Sequence, residues 1–458
     1  MCGPRVELHC ERFGALAQLG ERRLCKAEVA GSIPARSTHS RAAVSRDSVE
    51  GMRGPNRRFD LGDAVVALRV PSYRAWFLSQ VLSTSGVFVQ AVGVAWLVLQ
   101  LGGNAIDLAL VSAATFSPVF VGGAWAGGLA DRVDRRRLLL TTQFLFLLVA
   151  VCLLVVSRTG AAQLWILYAL SFVSGCVLAI DGPARQVYPL DLVGTERAAS
   201  AVGLYEVVQN LSRVLGPALG GLLIATSGVS ACFLANAVSF LFPIAALLRY
   251  RPDAGPEPAV PASGRGHVRA GLGYVRRSRA IRATMLMAIA SGMVFNAGVT
   301  LPLLATRTFH LGPTGFGAMF AIFGVGAVGG ALLAAGGGSW PTGRRVRLLA
   351  LLTGADVVLT GLAPDAAAAF VGLTLAGLLS IWFIALANTL VQVRTAPAFR
   401  GRVMGIWTMA LPGMNPVTGL LAGVTAVALG PRAGFALGGV ALALTAALGW
   451  GALADGRR

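Results

Sequence analysis

The chain is predicted to be an all-α integral membrane protein of twelve transmembrane helices, arranged as two pseudo-symmetric six-helix bundles. Three observations predict this. Of its 458 residues, 55% are hydrophobic and only 13% are charged, with a mean hydropathy of +0.70, whereas soluble chains carry about 25% charged residues. The apolar residues are clustered into stretches that recur from Ala75 to the C-terminus, each near the roughly 20 residues a helix needs to cross the hydrocarbon core. The basic residues fall in alternate breaks between those stretches.

Backbone polar groups in lipid must be satisfied within their own segment, so each stretch reads as a helix. The spans fall near 75–99, 108–130, 138–156, 164–180, 202–225, 229–248, 283–303, 315–337, 348–363, 366–387, 403–428 and 433–454. The ninth is short and ends uncertainly at Pro364-Asp365. With both termini on the cytoplasmic side, the inner segments from Met52 onward carry 27 basic residues and the outer loops carry three, Arg158, Arg307 and Arg432. That asymmetry supports both the count and the orientation, because a missed span would throw basic clusters onto the wrong side. A net charge of +19 would suggest nucleic acid in a soluble protein. Its placement in short loops between spans argues for a lipid bilayer as partner and for no nucleic acid.

The expected divisions follow from composition. Residues 1–51 hold half of the four histidines, half of the six cysteines and the only lysine, Lys26, and they lack the apolar core of a signal peptide. Within them, Gly14 to Ser40 resembles the peptide obtained when a tRNA gene is translated on the wrong strand, which would make Met52 the true start. The other reading is a disordered cytoplasmic tail. Residues 52–74 form a cytoplasmic segment and 75–248 the first bundle. Residues 249–282, rich in Pro, Gly and Arg, form a cytoplasmic linker, 283–454 the second bundle and 455–458 a cytoplasmic tail. Ala75–Leu248 and Ile281–Ala454 are each 174 residues long, as a duplicated transporter architecture would have them. Cys152, Cys176 and Cys232 lie inside predicted spans without metal-ligand spacing. They read as small packing residues.

The break after the second span reads Gly127-Gly128-Leu129-Ala130-Asp131-Arg132-Val133-Asp134-Arg135-Arg136-Arg137. It resembles the cytoplasmic signature of the major facilitator superfamily, a GxxxD element followed by basic residues, with Asp134 in place of the usual glycine. In the fifth span, Arg213-Val214-Leu215-Gly216-Pro217-Ala218-Leu219-Gly220-Gly221 resembles the antiporter motif of the same superfamily. Its Gly-Pro pair bends a helix. Asp181-Gly182-Pro183-Ala184-Arg185-Gln186 after span four, Ala95–Leu99 and Arg400–Gly405 are similar to the enterobactin-exporter-like branch. The resemblance covers roughly residues 65 to 454. It implies the major facilitator fold and a proton-coupled exporter of a siderophore or drug-like small molecule, working by alternating access as a monomer in the bacterial cytoplasmic membrane. It assigns gating roles to Gly127, Asp131, Arg132, Arg135, Arg136, Asp181, Arg185, Gly216 and Pro217. The second half departs from the pattern, since Gly338-Ser339-Trp340-Pro341-Thr342-Gly343-Arg344-Arg345 lacks the acidic residue.

Charges within spans need partners or water. Glu206, Gln209, Asn210 and Arg213 are spaced i, i+3, i+4, i+7 on one face of span five. That face must look into the bundle or a cavity. One reading makes Glu206 a proton carrier on the substrate path; the other makes it a residue near the cytoplasmic end, with Arg213 a structural tie between the halves. Asp356 in span nine has the same two readings, path residue or packed carboxyl. Gln80, Ser83, Thr84 and Gln90 in span one, Asn296 and Thr300 in span seven, and Asn388 and Gln392 in span ten are further polar candidates. They either line a central cavity or hydrogen-bond between helices.

Two familiar signals fail. Gly324-Val325-Gly326-Ala327-Val328-Gly329 matches GxGxxG, but it lies inside an apolar span with no preceding strand. No lysine follows Lys26, so no phosphate-binding lysine loop exists in the membrane domain. No histidine falls in a predicted span, so neither a membrane-embedded histidine metal centre nor a Ser-His-Asp site is expected. The chain is expected to need no cofactor, to hold no metal and to be no enzyme, with a proton gradient as the driving force.

Overall fold

The computed structural model describes residues 65–130, 133–251, 266–295, 297–336, 341–410, 413–449 and 451. By contacts the chain divides at Arg58, and everything described belongs to the unit Phe59–Arg458. Every element among the described residues is helical.

After a 3-10 turn at Val66–Arg69, the first six long helices are α1 (Pro71–Gln100), α2 (Ala105–Ala130), α3 (Arg135–Arg158), α4 (Leu164–Val193), α5 (Ala198–Ser227) and α6 (Val229–Arg249). A short helix, α7 (Gly266–Arg277), leads into the second set. That set comprises α8 (Arg279–Phe295) with α9 (Ala297–Leu303), α10 (Pro313–Gly336), α11 (Gly343–Gly361), α12 (Ala366–Arg394), α13 (Pro397–Ala410) with α14 (Asn415–Leu429), and α15 (Pro431–Leu448). Ten segments among the described residues are long and apolar enough to cross a membrane. They supply all the expected spans except the ninth and eleventh.

Those two fall short for visible reasons. α11 has 19 residues and includes Arg344, Arg345, Arg347 and Asp356, which dilute its hydropathy. The eleventh span, expected to be continuous over 403–428, is built from α13 and α14, and α14 has only 15 residues. Two prolines, Pro412 and Pro416, flank the join, where each removes a backbone donor. The seventh span ends in a π-helical turn at Leu304–Thr308.

Two further differences matter. The fourth helix was expected to stop at 180, with Asp181 to Gln186 following it. Instead α4 runs to Val193 and carries Pro183 and Pro189 inside it, so Asp181 and Arg185 sit one turn apart on one helix. The linker, read as polar coil, contains α7. Its apolar Val268, Leu272 and Val275 recur at helical spacing among arginines.

The packing repeats with a shift of six spans. In the first half α2 packs on α4, α3 on α4 and α6, and α1 on α6. In the second, α10 packs on α12, α11 on α12 and α15, and α8 on α15. Between halves, α5 meets α10 and α2 meets α14, which is again one contact and its shifted copy. Large apolar side chains stay exposed around the bundle, among them Leu78, Phe144, Phe172, Leu332, Leu359 and Val371. An apolar surface of that extent belongs in lipid rather than water.

Candidate functional site

At the end of the bundle that carries the basic loops, the first half is tied together by its own arginines. Asp134 is the N-cap of α3 and accepts a hydrogen bond from the Arg137 amide at 3.0 Å. This is why an acidic residue suits a position where glycine is usual. Arg135 pairs with Asp191 at the end of α4, at 2.8 Å. Arg136 donates to the Leu247 carbonyl at 2.6 Å and the Leu248 carbonyl at 3.3 Å, satisfying the carbonyl end of α6 with a cation. Gly127 lies near the end of α2; Asp131 and Arg132 lie outside the described residues.

Deeper in the same half is a buried polar cluster. The Asp181 side chain, 1% exposed, accepts from Thr142 Oγ1 at 2.7 Å, Gln143 Nε2 at 3.0 Å and Arg185 Nε at 2.6 Å. Arg185 Nη1 also donates to Gln80 Oε1 at 3.1 Å. One carboxylate and its arginine thus join α1, α3 and α4. The geometry brings Gln80, a candidate for the substrate path, together with Asp181 and Arg185, to which the resemblance assigned gating roles. It adds Thr142 and Gln143, which sequence reasoning missed. Their signal was present, as adjacent polar residues about two turns into α3, just before its long apolar run.

The polar face of α5 is real. Glu206 is exposed, while Asn210 and Arg213 are half-buried. Asn210 Nδ2 donates to the Glu206 carbonyl at 2.9 Å, and Arg213 Nη1 lies 3.5 Å from Asn210 Oδ1. Gln209 Nε2 donates to the Tyr205 hydroxyl at 2.7 Å. Glu206 lies roughly 12 Å along the helix, a depth at which carboxylates almost always face a bundle interior or a water-filled cavity. The other candidates are dispersed. Gln90 accepts from Asn236 Nδ2 of α6 at 2.8 Å, a hydrogen bond between helices. Asn388 accepts from Gln392 on the same helix, α12, at 3.0 Å. Asp356 is half-buried on α11, and its Oδ2 has no hydrogen-bond partner among the described residues. Asn296 lies outside the described residues.

The two halves meet along a seam at the opposite end from the basic loops. A Cβ placed on Gly317 of α10 would stand 2.6 Å from the Pro217 carbonyl and 2.7 Å from Gly221 Cα on α5. One placed on Gly324 would stand 2.8 Å from the Arg213 carbonyl. α5 and α10 therefore touch main chain to main chain, an approach only glycine permits. Gly216 turns the other way, against Phe88 and Ser85 of α1. On the second contact a Cβ on Gly423 of α14 would meet the Ala105 carbonyl of α2 at 2.8 Å. Trp96 stacks on Phe316 with ring centroids 6.2 Å apart, and Arg307 in the π turn reaches the Gly103 carbonyl at 3.5 Å. The polar stripe of α5 ends at Arg213, where the seam begins.

The sequence and the helical fold that carry these features are similar to those of known proteins. Multidrug efflux pump Tap of Mycobacterium tuberculosis is 30% identical over 384 residues, covering 80% of this chain and 90% of that protein. Enterobactin exporter EntS of Citrobacter koseri is 28% identical over 391 residues, covering 83% of this chain and 92% of that one. Among solved structures, a bacterial homologue of the human lysosomal transporter Spinster superposes with a TM-score of 0.65 at 15% identity, over 84% of this chain and 96% of that one. The model of the transmembrane secretion effector family matches residues 63–453. This chain belongs to that family of major facilitator superfamily transporters.

Proposed function

We propose that this transporter exports a siderophore or drug-like small molecule across the bacterial cytoplasmic membrane, driven by protons moving inward, with the basic loops and both termini on the cytoplasmic side. The observation that carries this reading is the position of the α5 stripe. Glu206, Asn210 and Arg213 lie on the basic-loop side of the seam, and the halves touch through described residues on the other side. With basic loops inside, a substrate meets the stripe from the cytoplasm while the outer end is sealed. The names of the relatives, an enterobactin exporter and a multidrug efflux pump, support export and the substrate class. Glu206 is the proton carrier in this reading, and the transporter works as a monomer without a cofactor.

The test is uptake of a catecholate siderophore and of ethidium into inverted vesicles with an imposed pH gradient. Accumulation is expected, and it should vanish when the gradient is collapsed. Accumulation that survives the collapse removes proton coupling, and accumulation confined to right-side-out vesicles removes the direction. Glu206→Gln should flatten the pH dependence; an unchanged profile removes Glu206 as carrier.

A further inference from the structure

The charges of the two halves are arranged differently at the basic end. In the first half, Arg135 and Arg185 are paired with Asp191 and Asp181. In the second half, residues 258–454 contain only two carboxylates, Asp356 and Asp365. Asp365 caps the start of α12 at the far end, accepting from the Ala368 amide at 2.8 Å, and Asp356 lies on the last third of α11. The basic end of the second half therefore presents Arg276, Arg277, Arg279, Arg282, Arg394, Arg400 and Arg402 with no ion pair among the described residues.

These arginines are held together by packing. α7 docks on α13. Gly271 lies against Arg402 and Ile406, Tyr274 stacks on Phe399 at 4.8 Å, and the Tyr274 hydroxyl accepts from the Ala396 amide at 3.1 Å. Arg402 stands over the Phe399 ring at 5.2 Å. Arg282 Nη1 donates to the Arg276 carbonyl at 3.1 Å, fastening α8 to the end of α7. Gly271 and Val275 are buried, whereas Leu272 is 40% exposed one turn before the exposed Arg276, and Arg277 is exposed as well.

We infer that the face formed by α7, the start of α8 and the start of α13 binds anionic phospholipid headgroups of the adjacent leaflet. An exposed leucine beside arginines on an amphipathic helix fits the headgroup boundary, where the apolar side chain enters the acyl region and the cations meet phosphates. An acidic protein surface would satisfy the arginines but leave Leu272 in water. The inference uses the membrane embedding alone, not the direction or coupling proposed above.

The test is native mass spectrometry of the full chain in detergent with phosphatidylglycerol, phosphatidylcholine, inorganic phosphate or poly-glutamate. Phosphatidylglycerol adducts are expected to exceed phosphatidylcholine adducts severalfold. The triple variant R276Q/R277Q/R279Q should abolish that preference, since each basic residue near an anionic surface contributes about 1 kcal/mol to binding. R158Q/R432Q, at the other end of the bundle, should keep it. Equal binding of the two lipids, a preference untouched by the triple variant, or tighter binding of phosphate or poly-glutamate than of phosphatidylglycerol would each overturn the inference. Intact melting of the triple variant distinguishes loss of the site from loss of fold.

Discussion

Among the described residues Asp181 is the most heavily engaged carboxylate, and its partners decide what its loss costs. Asp181→Asn removes the charge that balances Arg185 within a buried cluster. Stripping one member of a buried pair costs about 3 kcal/mol or more. Thermal melting in detergent should show Asp181→Asn well below wild type, with Asp181→Asn/Arg185→Gln recovering part of the loss; no recovery in the double variant would show that the ion pair is not what matters. Asp134→Ala should cost about 1 kcal/mol through loss of the α3 cap, a far smaller drop in the same assay. At this scale the sequence was informative about which residues are unusual but not about their partners. Gln90 stood open between lining a cavity and bonding between helices until Asn236, 146 positions away, supplied its hydrogen bond. Nothing in the local pattern of either helix announces a pairing at that separation.

Helix length and helix contact belong to the next scale. The main-chain approach of α5 to α10 leaves no room for a side chain at Gly317. Gly317→Leu should prevent the seam from closing and expose the stripe to the far side. In a Glu206→Cys background, labelling by a membrane-impermeant thiol reagent from the non-basic side should rise severalfold on adding Gly317→Leu; equal labelling would show that the seam is not the barrier. The spans themselves were legible because apolar run length is a direct reading of membrane thickness. Their ends were not. α4 continues past Asp181-Gly182-Pro183 because neighbouring helices and side chains satisfy the cluster that looked like a loop. α7 was hidden because the expectation for a Pro-, Gly- and Arg-rich linker outweighed a weak amphipathic signal. Gly324 was set apart from a nucleotide motif by its apolar span, yet the main chain it packs against on α5 could not be read from one sequence.

For the whole molecule, the charge asymmetry makes the simplest prediction. In a cysteine-free chain, a single cysteine at His310 should be labelled by an impermeant reagent on intact cells, and one at Arg402 only after permeabilisation. The reverse pattern would invert the orientation. The repeat of contacts under a six-span shift was foreseen from two equal lengths of 174 residues. The unequal chemistry of the halves was foreseen only in part, from the missing acidic residue near Arg344.

The seam has one more implication. Its closest α5–α10 approach is glycine and carbonyl against glycine, with no ionisable group on either side of that contact. Such a contact holds equally well at any pH and any ionic strength. If transport is proton-driven as proposed, a proton has nothing to act on at that contact, and its leverage would be exerted across the opposite face, where the carboxylates and arginines are. In that reading the seam is a passive closure, and what opens it acts from the other end of the molecule.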